Sequence, residues 1–409
     1  MSKLDDLIRK LSPDGVEVVP LWSVTIWDKK FNGVAREMQP SINPHKYYLA
    51  TDFNEIEDEN GDIPYIPTGI IDKKRYTTEV KAGDYLREGE IVCIPWGGTP
   101  NVKYHKGKYV TGDNRICTSN DTTKLDNKFL YYLLSNRVDE ITSYYRGAGI
   151  QHPSMQSVLS MRIPVPHIEV QREIVRILDN FTELTAELTA ELTARIKQLG
   201  FYRDQLLLQD GEDFYLENIC KIVDCPHTSP KWRDSGIPVI RNFNLVNGQI
   251  DTSKLFYVDE EEYQARVKRI IPQEDDILFS REAPIGNVGI VPKNFTCCQG
   301  QRVVLLRPIT DIVYPRFLLH ALQGGLVRSQ IEKVESIGTT VSNFNIADLR
   351  KLIIKVPAME IQIRISEKMD KIASYSVDMN NGLPAEIHAR QKQFEYYRNV
   401  LLSFKERTA

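Results

Sequence analysis

Apolar residues Ile174, Ile177, Phe181, Leu184, Leu188, Leu192, Ile196 and Leu199 are separated by 3, 4, 3, 4, 4, 4 and 3 positions. That spacing keeps one face of a helix apolar, with a heptad seam that carries a stutter, and predicts a long coiled-coil helix within 161–209. Inside it the unit Thr-Ala-Glu-Leu occurs twice in register, at 185–188 and 189–192. Elsewhere the period shortens. Glu90-Ile-Val-Cys-Ile-Pro95, Gly289-Ile-Val291 and Arg302-Val-Val-Leu-Leu-Arg307 are brief apolar runs in segments bounded by Gly, Pro and Asn, which predicts strands. Short helices are expected near 128–140 and 315–334.

The tail patterns are written twice. Ile163-Pro-Val-Pro-His-Ile-Glu-Val-Gln-Arg-Glu-Ile174 matches Ile354-Lys-Val-Pro-Ala-Met-Glu-Ile-Gln-Ile-Arg-Ile365. Pro166 and Pro357, Glu169 and Glu360, and Gln171 and Gln362 all share an offset of 191, which also links Gly147 with Gly338 and Asp179 with Asp370. Further on, Ala194-Arg-Ile-Lys-Gln198 and Tyr202-Arg203 match Ala389-Arg-Gln-Lys-Gln393 and Tyr397-Arg398 at offset 195. Asn381-Gly-Leu-Pro384 interrupts the second tail, Gly ending one helical segment and Pro starting the next. An internal repeat of this kind constrains the fold more than any local propensity. The expected class is α+β: two globular domains of mixed structure, separated by two long antiparallel coiled-coil helices with pseudo-two-fold symmetry. The expected bounds are 1–160 and 210–350 for the globular domains, and 161–209 and 351–409 for the helices.

Composition then narrows the chemistry. At 409 residues two or three domains are expected, and no run of about 18 apolar residues suggests a membrane span. The mixed-charge start and the sparse use of six cysteines fit the cytoplasm. Cys220, Cys225 and His227 lack a second ligand pair, so no metal is expected, and Cys297-Cys298 reads as buried packing. There is no Pro-Pro dipeptide for an amino-methyltransferase motif, and no phosphate-binding loop around Gly107-Lys108. Asp275-Asp276 with Glu282 reads as a turn rather than a nuclease centre. No catalytic residue and no bound cofactor is expected.

Net charge is −3, from 52 Lys+Arg and 55 Asp+Glu, so whole-chain coating of nucleic acid is disfavoured. Charge nevertheless segregates. Residues 71–110 hold 8 basic and 5 acidic side chains, against 1 and 6 over 41–70. DNA-contact candidates in the first domain are Lys73, Lys74, Arg75, Lys103, Tyr104, Lys106 and Lys108. In the second they are Lys231, Trp232, Arg233, Arg241, Asn242, Asn244 and Arg281. Lysines suit phosphates, while Arg and Asn suit bidentate contacts to guanine and adenine edges. The same residues also suit solvated hairpins.

Two divergent domains, each followed by a repeated helix, resemble the specificity subunit of type I restriction–modification enzymes. The stretch 164–179 and Gln393-Phe-Glu-Tyr-Tyr-Arg398 are similar to that family's tail motifs, and the tandem TAEL units with Gly382-Leu-Pro384 are most similar to its type IC group. The resemblance implies a non-catalytic subunit whose domains each read half of a split double-stranded DNA site. It implies helices that set the spacing and dock two methyltransferase subunits, with motor-nuclease subunits in the full assembly. S-adenosylmethionine, ATP and Mg would then sit on those partners. The rival expectations are a self-contained methyltransferase or nuclease, and a coiled-coil scaffold that meets only proteins.

Overall fold

The computed structural model describes residues 3–70, 74–208, 210–335, 344–376 and 382–407. The chain forms two compact units, 1–185 with 390–409, and 186–389. The first is therefore discontinuous in sequence, and the second is one uninterrupted stretch.

In the first unit a six-stranded sheet runs in the order Thr25–Trp27, Asn114–Ser119, Arg87–Pro95, Lys103–Thr111, Ile63–Ile66, Tyr76–Thr77. Its one parallel pairing sets Tyr65 beside Val110 and Ile66 beside Thr111. The second unit repeats that device on separate sheets, with Val239 beside Cys298 and Ile240 beside Gln299. A four-stranded sheet there runs Cys220–Val223, Val303–Pro308, Ile277–Ser280, Val288–Ile290. Each unit also closes with a two-stranded antiparallel ribbon, Glu17–Pro20 on Arg162–Val165 and Glu212–Tyr215 on Ile353–Val356. Mixed sheets with helices and a repeated frame agree with the α+β expectation. The expected short helices are Asn127–Asn136, Val138–Ser143, Pro315–Leu322 and Gly325–Glu335.

The repeat is explained by buried polar geometry. Gln171 is fully buried: its Oε1 accepts from the Asp126 N–H at 2.9 Å, and its Nε2 donates to the carbonyls of Lys124 (2.6 Å) and Pro166 (2.7 Å). Gln362 makes the same three bonds, from Tyr314 N (2.8 Å) and to Ile312 O (3.0 Å) and Pro357 O (2.8 Å). Each glutamine ties the start of a tail helix to the start of a domain helix. One amide satisfies three backbone groups that burial would otherwise strand.

About two turns further along, Asp179 accepts from Lys128 Nζ at 2.8 Å and Tyr132 Oη at 2.6 Å. Its counterpart Asp370 accepts from His320 Nε2 at 2.8 Å, with Arg316 Nη1 at 3.9 Å. The carboxylate is kept and its donors are exchanged.

The first tail is a 40-residue helix, Ile168–Leu207, and the second is two helices, Met359–Ser376 and Leu383–Leu401. Asn381, Lys73 and Gly338 lie outside the described residues, while Leu383 and Pro384 open the last helix. Each unit joins the beginning of one tail to the end of the other, the antiparallel sense expected. Phe181 stacks on Tyr397 at 5.4 Å in the first unit. In the second, Leu192 and Leu199 share a core with Ile365 and Met369.

The expected seam needs correction. Ile174 and Leu199 are buried, and Ile177, Phe181, Leu188 and Leu192 are half-buried. Leu184 and Ile196 are 37% and 38% exposed. At the first end the buried stripe is Val170, Ile174 and Leu178, which lie in the domain core together with its helices and with Leu402 from the end of the second tail. Tyr131-Tyr132-Leu133-Leu134 likewise packs inward, with Tyr132, Leu133 and Leu134 buried. Among the described residues no helix is long and apolar enough to cross a membrane.

Candidate nucleic-acid interface

In the first unit the neighbouring strands Ile63–Ile66 and Lys103–Thr111, with the residues that follow 73, line a cleft of about 680 Å³. Six sequence candidates meet on it: Lys74, Arg75, Lys103, Tyr104, Lys106 and Lys108. Tyr76 and His105, which belong to the same two basic stretches of sequence, line it too. The grouping follows from strand pairing, Tyr65 lying beside Val110 and Ile63 beside Thr77, which brings these two strands and the 74–76 segment to one edge of the sheet.

The six have different jobs. Arg75 is held by Glu57, at 3.0 Å and 2.7 Å, and lies over the Phe53 ring at 4.7 Å. The Glu57 carboxylate raises the guanidinium pKa further and fixes Arg75 as a wall. Lys103 is nearly buried and donates to the Thr68 carbonyl at 3.0 Å, and burial lowers its pKa. Tyr104 donates to Glu90, and burial followed by that carboxylate pushes its phenol pKa up. Lys108 pairs with Glu79. Lys74 and Lys106 are exposed, and among the described residues neither has an ion-pair partner. These two are the cations free to meet phosphate.

On another strand of the same sheet, buried Arg115 bridges Asp28, at 3.0 Å, and Asp113. Its guanidinium lies 5.0 Å from the Trp96 ring centre, and Lys29 approaches the same ring at 5.2 Å. Sequence reading gave no sign of this network, because Asp28 and Arg115 are 87 positions apart.

In the second unit several of the candidates have partners within the domain. Asn244 is 1% exposed. Its Oδ1 accepts from Arg241 N at 3.1 Å, and its Nδ2 donates to Asp251 O and Lys254 O, both at 3.0 Å. Both N–H donors of its amide are used in closing a turn, so none is left to donate to an adenine edge. Asn242 donates to the Ala283 carbonyl at 2.8 Å. Arg281 grips both Asp224 oxygens at 2.8 Å and the Phe344 carbonyl at 3.1 Å. Arg233 pairs with Asp259 at 2.7 Å. These four side chains are spent on the domain itself.

Arg241 is different. Its guanidinium lies 4.9 Å from the centre of Phe243, 5.2 Å from Phe256 and 5.8 Å from Trp232. Among the described residues no carboxylate pairs with it. Three ring faces orient the cation without consuming its N–H groups. Lys231, which precedes Trp232 in the chain, is exposed. Arg302, missed by sequence reading, stands in the left-handed region at φ 72° and pairs with Glu282 at 2.7 Å. It lines a smaller pocket of about 180 Å³ with Cys225, His227 and Arg281. Among the described residues no group of three or more His, Cys, Asp or Glu side chains is placed to hold a metal.

One repeated frame thus carries two dissimilar surfaces, each with unpaired cations among aromatic rings, as a two-module recognition protein requires. Comparison agrees. The family model for the type I restriction modification DNA specificity domain matches residues 47–198 and 209–389. The chain is 31% identical over 431 aligned residues to the Escherichia coli type I restriction enzyme EcoR124I/EcoR124II specificity subunit, covering 99% of this chain and 98% of that one. It is 28% identical over 366 residues to a putative specificity subunit from Haemophilus influenzae, covering 84% and 89%. The crystal structure of the type I S subunit from M. genitalium shares the fold, with a TM-score of 0.52, 15% identity and 95% of each chain covered. The chain belongs to the specificity-subunit family of type I restriction–modification systems.

Proposed function

We propose that this chain is a non-catalytic reader in which each globular domain recognises one half of a split, asymmetric DNA site. The observation that carries the reading is the glutamine clamp made twice with identical bonds, at Gln171 and Gln362, around domains whose exposed side chains differ. Lys74 and Lys106 serve the first half-site, and Lys231, Trp232 and Arg241 serve the second. Phosphate contacts by the lysines position the duplex, and Arg241 reads a guanine edge.

The partners are two methyltransferase subunits docked on the tail helices, with motor-nuclease subunits joining the cytoplasmic assembly. Support comes from exposed aromatic pairs at matching places in the repeat, Phe201–Tyr202 with centroids 5.8 Å apart and Tyr396–Tyr397 at 5.4 Å. A duplicated apolar pad suits two copies of one partner. S-adenosylmethionine, ATP and Mg belong to those partners. With a net charge of −3, the chain alone gains little from counterion release, so tight binding is a property of the complex.

The test is domain exchange. Replacing residues 210–350 with the corresponding segment of a relative, and mapping methylated sites in cells carrying the complete system, should change one half-site only. Change in both halves, or S-adenosylmethionine turnover by the isolated chain, overturns the reading.

A further inference from the structure

The second domain exposes two large aromatic rings beside an uncompensated arginine, and its backbone is built to keep them there. Phe243 is the middle residue of the short helical turn Asn242–Asn244. Both neighbours are anchored, Asn242 to Ala283 and Asn244 to Arg241, Asp251 and Lys254. With both flanking amides tied inward, the Phe243 ring is left 38% exposed. Trp232, arriving from another loop, is 42% exposed. Phe256 supports both from below, 5.4 Å from Trp232 and 6.0 Å from Phe243. A flexible loop would fold such rings away. A turn braced at both ends holds Phe243 in water, Phe256 backs Trp232, and this arrangement calls for an occupant.

The charge pattern selects the occupant. Among the described residues Arg241 lies against all three rings with no carboxylate in ion-pair range, while Lys231, next in sequence to Trp232, is exposed and feels the Asp259 carboxylate that Arg233 holds. The centre of a protein interface is depleted in unpaired charge. A duplex satisfies both needs at once, offering phosphate or guanine acceptors to the cation and base faces to the rings. The matching turn of the first domain, after Ile63–Ile66, reads Pro67-Thr68-Gly69-Ile70 and carries no ring.

We infer that Trp232 and Phe243 form a wedge that enters the base stack of the half-site read by the second domain, with Arg241 fixing its position. The inference rests on the recognition role proposed above. The two half-sites are then read by different physics. The first is read by contacts on an undistorted duplex, the second partly by how readily one base step opens. Flexible pyrimidine–purine steps favour such entry and stiff A-tracts oppose it.

The experiment uses the full chain assembled with its methyltransferase and duplexes of the mapped site carrying 2-aminopurine at successive positions. Leaving out the bases that the methyltransferase itself extrudes for methylation, fluorescence should rise at one step of the second half-site and stay flat throughout the first. The double variant Trp232→Ala, Phe243→Ala should lose that rise and weaken binding about tenfold or more, the scale of one lost base–aromatic contact. Its protection of the first half-site reports that the complex is folded. Phe243→Leu, which keeps an apolar wedge, should retain the fluorescence rise. A silent probe at every remaining position of a half-site that is still protected overturns the wedge while leaving two-domain recognition standing. So does a double variant with unchanged affinity, or one that loses only methyltransferase assembly. If no split site is protected at all, the recognition reading falls with it.

Discussion

At the scale of residues, one side chain can organise a whole domain junction. Gln171→Leu and Gln362→Leu keep volume but strand one N–H and two carbonyls in a buried place. Each should cost about 3 kcal/mol in denaturant unfolding, since an unmet buried group costs roughly 1–3 kcal/mol and not all are wholly dry. A surface glutamine change used as control should cost almost nothing. The exchange of Tyr132 for His320 makes a second test. Burial, foremost, depresses the His320 pKa below its ordinary 6.5, with Arg203 and Arg316 adding to the effect and Asp370 opposing it. A histidine that resists protonation when folded binds its proton more readily unfolded. The second unit therefore has this contribution in full above about pH 6.5 and loses it as pH falls below that. His320→Tyr should flatten thermal stability between pH 7 and pH 5, and an unchanged slope would refute the assignment. In the sequence these glutamines were visible as matched letters, but their jobs were not. A letter does not show which backbone groups, 45 or 48 positions away, need a partner.

At the scale of elements, the long helix changes surroundings along its length. Its ends lie in domain cores at Ile174 and Leu199, while Leu184 and Ile196 between them are partly open to water. The 3–4 spacing of apolar residues correctly indicated a helix, because period is a local property. It did not identify the buried stripe at the first end, where Leu178 rather than Ile177 faces the core, since three-dimensional neighbours decide that. The middle of the helix is where length can change without disturbing either core. Inserting one Thr-Ala-Glu-Leu after Leu192 adds about 6 Å and turns the helix by only about 40°. DNA rises about 3.4 Å per base pair, so the gap between half-sites should grow by one or two pairs with both half-sites unchanged. Methylated-site mapping of the insertion variant checks this, and an unchanged gap would remove the spacer role.

At the scale of the molecule, the duplication was legible because Pro, Glu, Gln and Asp recur at fixed offsets, and it led directly to the frame. The candidate surfaces were less legible. Among the described residues Lys74, Lys106 and Arg241 have no ion-pair partner, but Asn244, Arg281 and Arg75 are held by partners that lie 10, 57 and 18 positions distant. The units also differ in how their chain is supplied. The second is contiguous, whereas the first needs material from both ends. Leu402 enters the same core as Leu4 and Leu130, Arg398 donates to Asn136 at 2.9 Å, and Val16 donates to the Lys405 carbonyl at 2.8 Å. On a ribosome, which delivers residues in order, the first unit to begin is then the last to be finished. Residues 186–389 emerge and close upon themselves while the earlier core still lacks a wall. A nascent chain halted just short of residue 398 would carry a complete second reader and an unfinished first one.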